Sequence, residues 1–362
     1  MSIRRHAPYL FAALLLGCAN NTDAPPASYG ALLVTLGEEV ILPEHREFVT
    51  QADGLVAALQ ALEQSPDDED TLEAARAAWR AARKAYRMLD AVQLVPDVNL
   101  RITERIDVTP VDGPGIEKLA SGTGAVDDAA VSNAGGKKKG FLGLEYLLFP
   151  EPEGSDVAPV LRDDRARERR LTLAVSMADE IAASARELDG AWERDQDNYI
   201  EEFEHPSLNA RRYQTELDAV NDLVGAGNYA LEIIVGIRLA LPLGRKTGGT
   251  PDPSLDPTPR SDNAVEDMQS SLAGFSAVYT TAAFTGAVQE RSAALDAQVH
   301  SEISSSRLKL ADIPAPFASA VVDQTPIVQA AYDATKALKH TWNADVTSAL
   351  GATFRVGDND GD

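Results

Sequence analysis

The sequence predicts an all-α protein made of two up-and-down four-helix-bundle-like domains packed together. Apolar residues recur at steps of three and four along most of the chain, and no convincing run alternates apolar with polar residues as a strand would. Aromatic residues make up only 6% of the chain, which suits cores of alanine and leucine between closely spaced helices. Because helices with one apolar face bury that face most economically against antiparallel neighbours, we expect bundles.

The N-terminal segment is predicted to direct export and anchoring rather than to join the fold. Two arginines precede a short apolar run, the order typical of a secretory signal, and the run is too short to span a bilayer. Cys18 follows this run as at a bacterial lipoprotein processing site, and it is the only cysteine, so an internal disulfide is excluded. We therefore expect a lipoprotein signal peptide at 1–17, lipidation of Cys18 and a flexible tether at 18–30. The alternative is an ordinary secretory signal with an incidental cysteine.

The N-terminal helical bundle is predicted to occupy residues 31–195. The spacing of apolar residues predicts helical segments at 44–64, 71–95, 141–149 and 171–192. Asp70 and Glu73 have the spacing of a capping box that would open the second of these helices. Between residues 97 and 139 the chain is rich in Gly, Pro, Asp, Ser and Thr, so we predict a long loop there.

The C-terminal helical bundle is predicted to occupy residues 196–362. Helical spacing predicts segments at 213–241, 265–279 and 325–350. Thr325 and Pro326 have the pattern of a cap followed by proline in the first turn. A Pro/Gly-rich loop at 244–260 separates the first two of these segments.

The strong acidity of the chain excludes some partners. The formal net charge is −23 at pH 7 and the isoelectric point is about 4.6. Nucleic acid is excluded as a partner because its binding needs a basic surface. Wide contact with anionic lipid headgroups is disfavoured for the same reason, so attachment to a membrane should depend on the lipid anchor.

The sequence lacks the motifs of common hydrolases. It contains no His-Glu-x-x-His pair, which argues against a zincin-type protease, and no Gly-x-Ser-x-Gly elbow. His45 lies near the start of a predicted helix and is expected to face solvent. The basic run at 137–139 is interpreted as a solvated loop edge, and the tail at 358–362 starts like a calcium loop but lacks the downstream glutamate. A binding role, which needs no activated nucleophile, fits this chain.

Several segments, in order along the chain, are similar to those of a known family. Residues 78–86 read AWRAARKAY and residues 139–149 read KGFLGLEYLLF. The tail from 348 to 362 is a third match, and RSDN at 260–263 is a weaker one. In these segments the chain resembles the imelysin-like family, which includes relatives called insulin-cleaving membrane protease and iron-regulated protein A.

The resemblance implies a fold of two related four-helix bundles, export or lipid anchoring, and an association with iron uptake. Peptidase activity is also attached to the family name. The family's Gly-x-His-x-x-Glu motif corresponds here to a segment with Leu142 in place of histidine and with Glu145 as the glutamate. Histidine and glutamate three residues apart on a helix could share a metal ion, whereas leucine offers no lone pair.

The candidate ligand-binding residues are Trp79, Arg83, Tyr86, Asp90 and Glu145. Arg83, Tyr86 and Asp90 recur at steps of three and four, so they should share a helix face, with Trp79 and Tyr86 as pocket walls. Glu145 is the candidate metal ligand, for an ion such as iron. In the alternative interpretation, Glu145 pairs with an arginine such as Arg83 in a buried charge network. The two aromatic residues would then be core, and Arg83 would form a helix-surface ion pair with Asp90.

Together these patterns predict a non-catalytic, imelysin-like cell-envelope lipoprotein that binds a ligand or metal and is linked to iron uptake. Ala19 after the lipidated cysteine favours the outer membrane, facing the periplasm. The expected partners are the membrane, through the lipid anchor, and envelope iron-uptake proteins. A metal-dependent peptidase of the imelysin type and a structural partner-binding module are the alternatives.

Overall fold

The computed structural model describes residues 28–152 and 156–353. Within these ranges every regular element is a helix, which confirms the all-α prediction. The predicted signal peptide, Cys18 and the acidic tail at 358–362 lie outside the described residues. In the same ranges, no helix combines the length and apolar character that crossing a bilayer requires.

The first half of the chain contains three long helices, α2, α3 and α9, and several shorter ones. Its α-helices are α1 (Gly30–Leu36), α2 (Leu42–Gln64), α3 (Glu69–Met88), α4 (Val95–Leu100), α5 (Ile102–Ile106), α6 (Gly113–Ser121), α7 (Asp128–Ser132), α8 (Gly140–Leu148) and α9 (Arg167–Trp192). A π-helical turn (Gly37–Ile41) joins α1 to α2, and a 3₁₀ turn (Leu89–Val92) continues α3. Two further 3₁₀ turns are Gly136–Lys138 and Pro159–Leu161.

The second half follows the same pattern. Its α-helices are α10 (Tyr199–Glu204), α11 (Glu216–Glu232), α12 (Ala264–Tyr279), α13 (Ala282–Gln289), α14 (Ala293–Ala311), α15 (Phe317–Asp323), α16 (Thr325–Thr341) and α17 (Thr347–Ala349). A π-helical segment (Ile233–Leu239) continues α11, and another (Trp342–Val346) joins α16 to α17. The 3₁₀ turn Pro253–Leu255 lies within the predicted Pro/Gly-rich loop.

Two groups of four helices provide the two bundles. Helices α2, α3, α8 and α9 pack around one core, and α11, α12, α14 and α16 pack around the other. The apolar stripe predicted along α2 is buried, including Phe48, Leu55 and Leu62. The end of α2 before Ser65 is also as predicted. Helix α1 contacts α10, α11 and α13, and the Tyr29 hydroxyl donates a hydrogen bond to the carbonyl oxygen of Leu350.

The two bundles meet along α3 and α12. The 3₁₀ turn that follows α3 also packs against α11 and α12. At Gly274, in α12, an added Cβ atom would lie 2.0 Å from the carbonyl oxygen of Met88, so only glycine permits this approach of the two backbones. The candidate site residues lie along this contact.

The predicted long loop at 97–139 is wrong, because four short helices, α4 to α7, cover much of it. Each of these helices is too short to be stable in isolation, so its stability comes from packing. Their buried apolar residues are part of the hydrophobic core, and they include Ile102, Ile106, Ile116 and Val131. The composition of this segment therefore could not predict these helices, because they are stabilised by tertiary contacts.

The expected solvent exposure of His45 is also wrong. His45 is only 1% exposed, because it lies three residues before Phe48 on the buried face of α2. Its Nδ1 lies 2.7 Å from the carbonyl oxygen of Ile41 and its Nε2 lies 3.2 Å from Oδ1 of Asp97. Burial opposes protonation of His45, but the hydrogen bond to Asp97, the charges of Asp97 and Asp189 and the hydrogen bond to Ile41 together outweigh it and raise the pKa of the ring.

Three smaller expectations also differ from the structure. Helix α16 begins at Thr325 with Gln324 in the N-cap position, so Thr325 is not the cap, although Pro326 does lie in the first turn. Helix α3 begins at Glu69 and is capped by Asp68, which accepts a hydrogen bond from the backbone N–H of Asp70, so the capping box predicted at Asp70 and Glu73 does not form. Lys139 is buried rather than at a solvated loop edge, and its Nζ lies 3.1 Å from Glu180.

Candidate functional site

The five candidate ligand-binding residues lie at or near the contact between the two bundles, and all five are buried. Trp79, Arg83 and Tyr86 belong to α3, Asp90 to the turn that follows it, and Glu145 to α8. Each side chain is therefore screened from bulk solvent. Any charge on Arg83, Asp90 or Glu145 must be balanced by other protein groups.

Arg83 connects the two bundles directly. Its Nε lies 2.9 Å from Oδ1 of Asp267 and its Nη2 lies 2.6 Å from Oδ2, which gives a bidentate ion pair with α12. Its Nη1 donates to Asp107 at 2.7 Å. Burial disfavours the charged guanidinium, but the two carboxylates outweigh it and raise the pKa of Arg83. Bidentate geometry is the strongest form of this interaction.

Asp267 is the centre of the contact on the side of the second bundle. Besides Arg83 it accepts hydrogen bonds from Arg238, at 2.5 Å, and from the Asn263 side chain, at 2.9 Å. Burial alone would raise its pKa, but Arg83 and Arg238 hold the pKa of this carboxyl below its usual range. Asp267 is therefore ionised whenever the protein is folded near neutral pH.

Arg87 and Asp90 extend the network towards α12. Arg87 pairs with Asp107 and lies 3.4 Å from Oδ1 of Asp90. Oδ2 of Asp90 accepts a hydrogen bond from the Ser271 hydroxyl at 2.6 Å, and burial raises the pKa of this carboxyl. We call the six charged residues of this network the interbundle charge cluster: Arg83, Arg87, Asp90, Asp107, Arg238 and Asp267.

Two donors of the interbundle charge cluster have no acceptor. The Nε atoms of Arg87 and Arg238 are buried and make no hydrogen bond among the described residues. Buried N–H groups are nearly always paired, because an unpaired one loses its bonds to water without compensation. The cluster therefore has capacity for additional acceptor atoms between the bundles.

Glu145 is held by the chain that precedes α12. Its Oε1 accepts hydrogen bonds from the backbone N–H of Arg260 at 3.1 Å, the backbone N–H of Ser261 at 2.9 Å and the Ser261 hydroxyl at 2.8 Å. Burial raises the pKa of Glu145 to about 7, although the bonds to Ser261 oppose the rise. Burial likewise raises the pKa of Asp256 to about 6. Both carboxyls therefore change charge close to neutral pH.

Trp79 and Tyr86 form an aromatic wall beside Arg83. The indole Nε1 of Trp79 donates to the carbonyl oxygen of Phe141 at 2.9 Å, and Tyr86 stacks on the Phe141 ring at 5.6 Å. The Arg83 guanidinium lies 5.5 Å from the Trp79 ring centroid. The Tyr86 hydroxyl lies 2.8 Å from the Thr103 hydroxyl. Both aromatic residues are thus core residues that also contact the charged site.

The structure brings the predicted residues together with partners that spacing could not identify. Arg83 and Asp90 do not pair with each other at a helix surface, since both are buried and bind other groups. The sequence reasoning missed Arg87, Asp107, Arg238 and Asp267. Asp107 was concealed in the predicted loop, whereas the RSDN match at 260–263 does contribute Ser261 and Asn263 to the site.

The residues around Glu145 do not form a transition-metal site. Leu142 lies one helical turn before Glu145, is 4% exposed and offers no ligand atom. One oxygen of Glu145 is already occupied by three hydrogen bonds. Across the part of the chain that the structure describes, no group of three or more His, Cys, Asp or Glu residues could hold a metal ion.

Comparison with known proteins identifies relatives in sequence and in structure. Residues 41–342 match the family model Peptidase M75, described as imelysin. Iron-regulated protein A of Synechococcus elongatus is 31% identical over 121 residues, which is 33% of this chain and 32% of that protein. The chain thus spans about a third of the length of this curated relative.

Two crystal structures share the fold. A candidate iron-regulated protein A precursor from Parabacteroides distasonis has a TM-score of 0.74 at 19% identity, covering 91% of this chain and 97% of its own. An imelysin-like protein from Psychrobacter arcticum has a TM-score of 0.73 at 16% identity, covering 89% of this chain and 95% of its own. At these identities the likeness establishes the fold alone.

Proposed function

This chain belongs to the imelysin family, as the resemblance in its sequence predicted, and on that premise we propose that it is a non-catalytic binding component of the cell envelope linked to iron uptake. A lipid on Cys18 would hold it at the outer membrane, facing the periplasm. The names of its relatives, which include iron-regulated protein A, support the link to iron. The ligand site is the interbundle charge cluster.

The observation that carries this proposal is the pair of unpaired donors at the cluster. The Nε atoms of Arg87 and Arg238 are available to donate to the acceptor atoms of a bound molecule, such as the oxygens of a carboxylate. Tyr229 is 37% exposed, and burial and the charge of Asp90 raise its pKa to about 12. We expect ligand entry past Tyr229, because this partly exposed side chain interacts electrostatically with Asp90 and Arg87 of the cluster.

Native mass spectrometry of the full chain, purified from cells grown with little iron, tests the binding role. The expected result is a mass increment from a bound small molecule that is absent in the variant Arg87→Gln/Arg238→Gln. Arg186→Gln is the matched control, because Arg186 is exposed and, among the described residues, forms its ion pair with Asp53. A wild-type mass under native conditions that equals the mass of the same protein after denaturation would contradict the proposal. A co-purifying protein that survives both substitutions would favour the partner-binding module.

The site around Glu145 supports a binding role over a peptidase. A metal-dependent peptidase needs several ligands to hold its ion, and here leucine stands where the family motif carries histidine. We expect the full chain to retain no stoichiometric iron or zinc after dialysis and to leave casein intact. Casein cleavage that a chelator and Glu145→Gln both abolish would instead establish the peptidase alternative.

Lipid anchoring at Cys18 has a separate test. Cells expressing the chain with labelled palmitate should yield a labelled protein that fractionates with outer membranes. Cys18→Ser should remove the label and release the protein from the membrane fraction, because this cysteine is the only one in the chain. Label that persists in Cys18→Ser would show that the lipid is attached elsewhere, and a wild-type protein without label would show that the anchor is absent.

A further inference from the structure

A cleft in the second bundle is basic although the chain as a whole is strongly acidic. It lies between α16 and the segment that follows α11, away from the interbundle charge cluster. Its volume is about 330 Å³, which is within the range of small-molecule sites. Such a site is independent of the function proposed above.

Four permanent cations line the cleft. Arg245 and Lys246 follow the π-helical segment Ile233–Leu239 that continues α11. Lys336 and Lys339 belong to α16. Among the lining residues, Glu232 is the only carboxylate, and it pairs with Lys246 at 3.3 Å and with Lys339. Four cations against one carboxylate leave three positive charges in a chain whose net charge is −23.

Two of these cations have no acidic partner. Arg245 donates to the neutral amide of Gln329, with its Nε 3.0 Å from the amide oxygen. Nζ of Lys336 lies 5.4 Å from the Tyr332 ring centroid. Neither residue forms an ion pair with a carboxylate in the described part of the chain. Lys336 and Lys339 are three residues apart on α16, a spacing at which like charges destabilise a helix, so a bound anion would relieve their repulsion.

The remaining lining suits a ligand with a carbon skeleton. The apolar side chains of Val235 and Ala240 and the ring of Tyr332 lie among the cations. An apolar lining with a few convergent charges is the usual composition of a small-molecule site. Lysine and arginine together bind oxyanions, because both donate charged hydrogen bonds to carboxylate or phosphate oxygens.

We propose that this cleft binds a small polyanion that carries two or more oxyanion groups. Carboxylate and phosphate groups share the required chemistry. Glu232 acts as an internal competitor, because it occupies Lys246 and Lys339 when no ligand is bound. A di- or trianion would displace it and neutralise the surplus charge.

Isothermal titration of the full chain at low ionic strength tests the proposal. The probes are tricarballylate, with three carboxylates, pyrophosphate as the phosphate counterpart, and acetate as the monovalent control. We expect at least one polyanion to bind, with affinity that falls as salt is added. Arg245→Gln/Lys336→Gln should weaken binding about tenfold or more, because two charged hydrogen bonds are lost.

Two further variants separate a loss of binding from a loss of folding. Glu232→Gln should strengthen polyanion binding several-fold, since it removes the competing carboxylate. Lys309→Gln is the matched control, because Lys309 is an exposed lysine on α14 that pairs with Asp312 outside the cleft. The affinity of the Lys309→Gln variant for the polyanion should equal that of the wild type. The proposal is overturned if neither polyanion binds, if acetate binds as tightly, or if Lys309→Gln weakens binding as much as the double variant.

Discussion

At the scale of the residue, Glu145 shows how a motif glutamate is accommodated without its histidine. The carboxyl group is buried on α8 and is bound by two backbone N–H groups and one hydroxyl from residues 260 and 261. These bonds fix the chain that leads into α12, which carries Asp267. Glu145 thus helps to position the interbundle charge cluster whether or not it contacts a ligand.

The titration of Glu145 predicts a pH dependence of stability. Its pKa is raised from 4.5 to about 7, so the folded state binds a proton more tightly than the unfolded state does. This contribution to stability is fully present below 4.5 and is lost as pH rises through about 7. Urea unfolding at pH 5 and pH 8 should show that wild type loses about 1 to 3 kcal/mol more than Glu145→Gln between the two values.

Glutamine keeps the size of the side chain and removes the titration. Asp256 also has a raised pKa, and its charge contributes to the raised pKa of Glu145. The difference between the two proteins therefore reports Glu145 together with its coupling to Asp256. Identical pH profiles for wild type and Glu145→Gln would contradict a raised pKa at this position.

The sequence analysis could name candidate site residues, but it could not name the residues with which they form hydrogen bonds and ion pairs. The steps of three and four predict Arg83, Tyr86 and Asp90 on one helix face; the structure places Arg83 and Tyr86 on α3 and Asp90 in the 3₁₀ turn that follows it. Asp267 lies 184 residues from Arg83 in the chain, so no local pattern could pair them. Binding by these residues stays a prediction.

At the scale of the element, the length and pattern of each helix decided whether it was predicted. Helices α2, α9 and α12 carry regular apolar stripes and were found close to their observed bounds. Helix α14 was missed because its sequence is largely polar and buries few apolar side chains, among them Val299, Ile303 and Leu310. The short helices α4 to α7 were missed because their stability depends on packing.

The close approach of α3 and α12 predicts a strong effect of Gly274→Ala. The added methyl group would clash with the Met88 backbone, and backbone cannot move aside as a flexible side chain can. We expect a loss of about 1 to 3 kcal/mol in the free energy of unfolding, measured by chemical denaturation.

Gly54→Ala provides the matched control within another helix. Gly54 lies in α2 with open space around its Cβ position, so alanine should stabilise the protein by about 0.5 to 1 kcal/mol through helix propensity. Equal effects of the two substitutions would mean that the contact between α3 and α12 is looser than the structure indicates.

At the scale of the whole molecule, the bundles are joined by charge as well as by apolar contact. The interbundle charge cluster balances three arginines with three aspartates in a buried setting. Removing one partner of such a network leaves another charge buried and uncompensated, which costs more than the pair contributes. The cluster therefore makes the relative position of the bundles sensitive to single substitutions.

Asp267→Asn tests this sensitivity. The variant leaves Arg83 and Arg238 without their shared carboxylate, and we expect a loss of about 3 to 5 kcal/mol in urea unfolding at neutral pH. Asp53→Asn breaks only the exposed pair with Arg186 and should change stability by less than about 1 kcal/mol. A loss for Asp267→Asn that is no larger than for Asp53→Asn would show that the cluster adds little to the union of the bundles.

The fold class and the two-bundle arrangement could be predicted because period and composition are properties of the chain itself. The contact between the bundles could not, since it depends on features that act only in three dimensions. In the sequence, neither Gly274 nor Arg87 belongs to a motif that would distinguish it from the other glycines and arginines of the chain. Their roles follow from the backbone of Met88 and from Asp107, respectively.

The hydrogen bond between Tyr29 and Leu350 brings the two extremes of the described chain side by side. Because these two ends lie close together, the bundles could follow each other in the opposite order along the chain and still have the same arrangement in space. A circular permutant that joins residue 353 to residue 28 through a short glycine linker, and opens between α10 and α11, would preserve every helix. Leu208, in that connection, is 81% exposed, so new ends there would disturb little packing. Read in either order, the same two bundles should assemble around the same buried charges.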